Sequence, residues 1–322
     1  MYTITMQSVS ETYTPSDLAA RIRSLEPRIG HTPVQRLDKL FNKNAVKLFA
    51  KKEWMQLSGS VKARAAYYII RNAIEQGELT EHKNLLDATS GNTGIAYATI
   101  GNILKIPVTL CLPENASIER KEILISLGAE LILTSKFEGT DGAQELAKEL
   151  AMKHPSKYFY ADQYKNENNW KAHYHTTAVE IFNDVPDITH FVAALGTTGT
   201  FVGTGRRLRK LVPGIKLISL QPDSALHGLE GWKHLETAIV PKIYDPGVAD
   251  LNLEVSTEEA YEMIQKVYQK EQMRLSPSSA AALVGAIRVA NQLDQGTVLT
   301  ILPDNGDKYS EVLNNLLTDD ND

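Results

Sequence analysis

Ser58-Gly59-Ser60-Val61-Lys62-Ala63-Arg64 stands directly before an apolar-periodic run, Ala65, Ala66, Tyr67, Ile69 and Ile70, that ends near Gly77. Small residues and a serine followed by that spacing predict a helix with Lys62 in its first turn. The helix dipole and apolar neighbours disfavour an ammonium there, so the pKa of Lys62 is expected to fall. An amine of lowered pKa is what Schiff-base chemistry with an aldehyde requires. A lone lysine in a first helical turn is more often a solvated surface group. What sets Lys62 apart is its company.

Downstream, Asn84 to Ala88 reads as a short strand running into Thr89-Ser90-Gly91-Asn92-Thr93-Gly94, with a helix from Ile95. The same rhythm returns where an apolar strand, Thr189 to Leu195, meets Gly196-Thr197-Thr198-Gly199-Thr200 and a helix to Leu211. Further strands are expected at 46–51, 107–112, 130–134, 158–161, 216–220 and 297–302. Helices are expected at 16–25, 117–127, 141–153, 168–182, 257–271 and 278–293. Strands alternating with helices imply right-handed βαβ units and parallel sheets, an α/β protein. Residues 1–15 read as a polar arm, and 223–250 as a long surface excursion near the site.

A chain of 322 residues suggests two domains, or one α/β unit with two lobes. At 43% hydrophobic and 23% charged it has the make-up of a soluble globular protein. Its net charge of −5 offers no basic surface for nucleic acid or membrane. The single cysteine, Cys111, lies in an apolar run and is expected to be a buried thiol. The first residues carry no basic segment followed by an apolar core, and no apolar stretch reaches membrane-spanning length. A cytoplasmic protein is expected.

The two glycine-containing loops sit at strand C-termini, where ligands bind in such sheets. Gly196 to Thr200 offers successive N–H groups and hydroxyls suited to a phosphate dianion. Its spacing is neither the P-loop nor the dinucleotide fingerprint, and Gln221 stands where an acidic residue would hold a ribose, which disfavours a nicotinamide. Thr89 to Gly94 offers hydroxyls, an amide and helix N-terminal N–H groups suited to a carboxylate. His154, His173, His175 and His227 lack a metal-binding spacing or cysteine partners, so no metal is expected. Asp304-Asn305-Gly306-Asp307 reads as a plain turn or as part of the cleft wall.

Together, Ser58 to Lys62, Thr89 to Gly94, Gly196 to Thr200 and Pro303-Asp304-Asn305-Gly306-Asp307-Lys308-Tyr309 occur in the order and spacing of the cysteine synthase family. Ile29 to Leu37 resembles that family's opening signature, with His31 where Asn is usual. The resemblance runs from about Ile29 to Tyr309, is nearest to the cysteine synthase B branch, and implies a two-lobed, pyridoxal-phosphate (PLP) dependent fold of the tryptophan-synthase-β group. It implies a smaller lobe of residues 45–165 and a larger one of 1–44 plus 166–322. Residue by residue, Lys62 resembles the cofactor-linked lysine and α-proton base, and Asn92 the partner of the cofactor's 3′-oxygen. Thr89, Ser90 and Thr93, with Gln163, resemble the carboxylate-binding set, Gly196, Thr197, Thr198, Gly199 and Thr200 the phosphate cup, and Ser278 the serine facing the pyridine nitrogen. A neutral hydroxyl at that nitrogen favours β-elimination.

The implied reaction is β-replacement on O-acetylserine or O-phosphoserine through an α-aminoacrylate, with a sulfur donor giving cysteine. The resemblance also implies a homodimer. Cystathionine synthesis, amine addition toward diaminopropionate precursors, and a retired binding protein on the same fold are the alternatives. Met55-Gln56-Leu57, Ala63, Ala280 and the 228–235 segment depart from the family pattern. In that last segment Lys233 is the expected partner of a substrate phosphate.

Overall fold

The computed structural model describes residues 17–317, so the expected arm at 1–15 lies outside the described residues. The strands are β1 (Val34–Arg36), β2 (Val46–Lys52), β3 (Asn84–Ala88), β4 (Val108–Pro113), β5 (Glu130–Thr134), β6 (Tyr158–Tyr160), β7 (His190–Ala194), β8 (Lys216–Pro222), β9 (Leu251–Val255) and β10 (Gly296–Leu302). The helices are α1 (Asp17–Ser24), α2 (Lys62–Glu75), α3 (Asn92–Leu104), α4 (Ile118–Ser126), α5 (Gly139–Lys153), α6 (Asn168–His175), α7 (Thr177–Asp184), α8 (Gly199–Leu211), α9 (Thr257–Glu271), α10 (Pro277–Gln292) and α11 (Ser310–Leu316).

A six-stranded sheet has the order β1-β2-β10-β7-β8-β9 and a four-stranded sheet the order β5-β4-β3-β6. Among the described strands only β1 runs antiparallel, against β2. Parallel strands covered on both faces read as continuous apolar runs. β10 does so, with Thr297 to Leu302 all buried. On the larger sheet, α9 and α10 bury Ile264 and Leu283 against Leu220 on one face, while α8 sets Phe201 on Phe191 and Leu217 on the other. On the smaller sheet, α2 and α3 cover one face, and α5 covers the other through Ala143 and Ala147. Cys111 is a free buried thiol there, its pKa pushed up to about 11 by burial. No helix among the described residues is long and apolar enough to cross a membrane.

The expected division at residue 45 needs correction on both sides. Val46–Lys52 lies in the larger sheet, because Gly296–Leu302 pairs with it in parallel along its whole length. Conversely, α1 packs on the smaller lobe, where Leu18 and Ile22 join the core around Ile69 and Ile70. The helix expected over 168–182 is two helices, broken at Thr176 (φ −118°, ψ −72°). There the Thr176 hydroxyl donates to Ala172 O at 2.7 Å and accepts from Arg64 at 3.0 Å.

That arginine is the centre of a buried ion network between the two lobes. Arg64 Nε and Nη2 donate to the two Glu53 oxygens at 2.7 and 2.8 Å, and Nη1 donates to Glu180 at 2.7 Å. Lys51 Nζ pairs with Glu180 at 2.9 Å and donates to Thr32 O at 2.7 Å. Arg64, Glu53 and Lys51 are all fully buried. The network joins the β2 end of the larger sheet to α2 and α7, and so fixes the helix that opens with Lys62.

Candidate active site

The C-terminal ends of β3, β7 and β10 open into one cleft of about 410 Å³. Lys62, Thr89, Ser90, Asn92, Thr93, Gln163, Gly196, Thr197, Thr198, Thr200, Lys233 and Ser278 all line it. Gly199, the remaining expected site residue, does not. Its small size answers to packing: a Cβ there would stand 2.0 Å from Asn169 Oδ1, and Asn169 Nδ2 in turn donates to Gln163 O at 2.7 Å. Gly196 is constrained similarly, with Gly231 O 2.0 Å from the place of its Cβ. Gly199→Ala is therefore expected to cost about 1–3 kcal/mol through overpacking. A melting temperature equal to wild type would show that Asn169 has room to move.

Lys62 opens α2, and Val61 N donates to Pro303 O at 2.8 Å, seating the helix start beside the end of β10. No hydrogen bond or ion pair engages Lys62 Nζ among the described residues. Burial lowers its pKa, against the opposing pull of Asp304 and Glu53. Of the two causes the sequence suggests, the apolar surroundings are the one that burial expresses here.

Thr198 adopts a left-handed conformation (φ 71°) at the start of α8. Its buried Oγ1 has no hydrogen-bond partner among the described residues. Thr200 Oγ1 lies 3.3 Å from His173 Nε2, and His173 Nδ1 lies 2.9 Å from Thr177 Oγ1. Burial, with Arg64 nearby, lowers the His173 pKa to about 3, so the imidazole is neutral and serves the loop.

Across the cleft, Thr93 Oγ1 donates to Gln163 Oε1 at 2.7 Å, which leaves the Gln163 NH2 group as a donor. Asn92 Nδ2 donates to Asp304 Oδ2 at 2.8 Å, and its Oδ1 accepts from Lys308 Nζ at 3.0 Å. One Asn92 N–H remains free for a ligand. Asp304 is fully buried and also accepts from Tyr309 OH at 2.7 Å, from Ser278 Oγ at 3.3 Å and from Ser276 Oγ. It thus couples the serine at the start of α10 to the carboxylate-suited loop. Lys233 Nζ sits 5.0 Å from the centre of the Tyr164 ring, and burial lowers its pKa.

Arg120 and Glu230 also line the cleft and form an ion pair. Burial and the nearby Asp304 push the Glu230 carboxyl up, while Arg120 pulls it back. Sequence reasoning passed over Arg120, Glu230 and Lys308, and left Asp304 between a turn and the cleft wall. The one available signal was the position of Pro303-Asp304 straight after an apolar strand.

An unpaired amine of depressed pKa shares one cleft with two loops that each open a helix, donor sets whose chemistry suits a phosphorylated aldehyde and an amino acid. The chain belongs to the pyridoxal-phosphate dependent enzyme family, whose profile matches residues 25–304. It is 44% identical to the cysteine synthase of Aquifex aeolicus, over 87% of this chain and 88% of that one. It is 36% identical to cysteine synthase B of Pseudomonas aeruginosa, over 87% and 93% of the two chains. The crystal structure of cysteine synthase from Entamoeba histolytica superposes with a TM-score of 0.84 at 28% identity, covering 98% of this chain and 99% of that one. The fold is accordingly that of the tryptophan-synthase-β group. The residues fit the cofactor: the orphaned, buried Thr198 hydroxyl has the donor character a phosphate needs, and Lys62 Nζ is free for its aldehyde.

Proposed function

We propose that this protein is a cysteine synthase, replacing the β-substituent of an activated L-serine with sulfur. The observation that carries the reading is the unpaired Lys62 amine facing both anion-suited loops in one cleft. The cysteine synthase relatives support it. They do not favour the cystathionine, amine-adding and retired-protein alternatives. When bound, pyridoxal phosphate supplies an aldehyde and an electron sink for bonds at the substrate α-carbon.

The chain's own residues then divide the work. Gly196 to Thr200, at the N-terminus of α8, hold the phosphate, with Thr198 Oγ1 as a donor. Asn92 uses its free N–H toward the ring substituent, and Ser278, backed by Asp304, meets the ring nitrogen. Thr89, Ser90 and Thr93 take the substrate carboxylate together with the Gln163 NH2 group. Lys62 Nζ removes the α-proton as the β-substituent leaves with its electron pair. It returns that proton to the α-carbon once sulfur has bonded at the β-carbon.

Lys233 is the candidate contact for a charged β-substituent. O-acetylserine or O-phosphoserine mixed with the holoenzyme, without nucleophile, should change the visible absorption with at least one donor; no change with either overturns the reading. Lys233→Ala should reduce O-phosphoserine turnover more than O-acetylserine turnover, whereas equal losses would remove its assigned role. We further place the protein in the cytoplasm, where the buried Cys111 has no disulfide to make, and infer a homodimer. Sedimentation at micromolar concentration tests the second point.

A further inference from the structure

We propose that Glu230 sets which β-leaving group the cleft accepts: by pairing with Arg120 it withholds that guanidinium from a phosphate and suits the site to serine donors with an uncharged ester. The inference rests on the β-replacement reading above. Among the described cleft-lining side chains the basic groups are Lys62, Arg120 and Lys233, and Glu230 is the one carboxylate. Arg120 projects from α4 of the smaller lobe, and Glu230 from the segment between β8 and β9 of the larger one. Their ion pair therefore spans the cleft.

The guanidinium is fixed on three sides. Glu230 Oε2 pairs with Nη1. The Tyr309 ring lies under it, with the guanidinium carbon 4.8 Å from the ring centre. On the third side Nη1 is 3.7 Å from where a Cβ on Gly91 would stand. This last contact sets the pair against the loop that takes the substrate carboxylate, so the short β-substituent of a substrate held there faces the pair. The Arg120 side chain is only 8% exposed, so bulk solvent screens it little.

An arginine so placed and unpaired is a bidentate phosphate receptor. With a carboxylate already on Nη1, an incoming phosphate dianion meets Glu230 as a like charge, an arrangement that discriminates strongly between partners. An acetyl ester carries no charge and needs no free guanidinium.

The test compares holoenzyme and Glu230→Gln, a near-isosteric change on a side chain 47% exposed that leaves the fold intact. Wild type is expected to prefer O-acetyl-L-serine in kcat/KM. In the variant the ratio should move about tenfold or more toward O-phospho-L-serine. Calorimetry with inorganic phosphate should show a comparable fall in Kd, and Glu230→Gln/Arg120→Gln should reverse both effects. An unchanged ratio, a wild-type preference for O-phospho-L-serine, or a gain that survives loss of Arg120 overturns the proposal. If wild type turns over neither donor, the β-replacement reading falls, and the phosphate Kd then decides the inference by itself.

Discussion

Lys62→Ala should leave a folded protein that has lost both the cofactor's visible band at its wild-type position and at least ~10³-fold in turnover, since a positioned base contributes on the order of 10²–10⁴ by itself. The expected size follows from the environment of the amine. Burial holds its pKa down, which favours the neutral, nucleophilic form, and among the described residues no hydrogen bond or ion pair competes for it. Alanine removes the only cleft-lining amine seated at the start of α2. Lys233 is the nearest chemical substitute, but it lies over Tyr164 on a different segment. Circular dichroism and a melting curve separate this loss from unfolding. Turnover within tenfold of wild type would remove Lys62 from the mechanism.

Arg64→Ala should produce the largest loss of stability, about 3–5 kcal/mol, because it strands the fully buried Glu53 carboxylate without its guanidinium. Glu53→Ala/Arg64→Ala should cost less than the single change, since no charge is then left unpaired. The pH dependence gives a second signature. Burial pushes the Glu53 carboxyl up, but Arg64 and Lys51 together outweigh it and hold it below its ordinary value of 4.5. For Glu180, too, burial is outweighed by Arg64 and Lys51, and its pKa is lowered. In acid the unfolded chain therefore binds protons that the folded chain does not. The stabilisation is present above the ordinary carboxylate range and is lost as pH falls through the depressed values. Denaturant unfolding of wild type should weaken steeply on acidification, and in Arg64→Ala that acid limb should flatten. A single-variant cost under about 1 kcal/mol would place the network among ion pairs of little net effect.

The parts of the site legible in the sequence are those whose chemistry is local. Lys62, the Thr89 to Thr93 loop and Gly196 to Thr200 each combine small residues with a helix start, the two loops also follow strand ends, and all three reach one cleft. Gly199 carries a packing demand that such reasoning does not see, since Asn169 stands where its Cβ would be. Asp304 was ambiguous because a buried carboxylate gathering Asn92, Tyr309 and Ser278 is built by contacts between distant segments. The break at Thr176 has the same origin, an Arg64 contact from another helix that no local periodicity encodes. β1 and β9 went unpredicted because one is three residues long and the other, Leu251–Val255, has mostly solvent-facing side chains.

The strand order has a consequence for how the chain is made. β10 lies between β2 and β7, so the larger sheet stays in two pieces until the ribosome has delivered Gly296–Leu302. The smaller sheet, by contrast, takes all its strands from the continuous stretch Asn84–Tyr160 and is complete near mid-synthesis. During the second half of translation β2 therefore waits with one hydrogen-bonding edge bare, a slow, non-local closure of the kind that invites aggregation. A nascent chain stalled before Gly296 carries a finished small sheet beside an unclosed one, and that edge is where a holding chaperone would be needed.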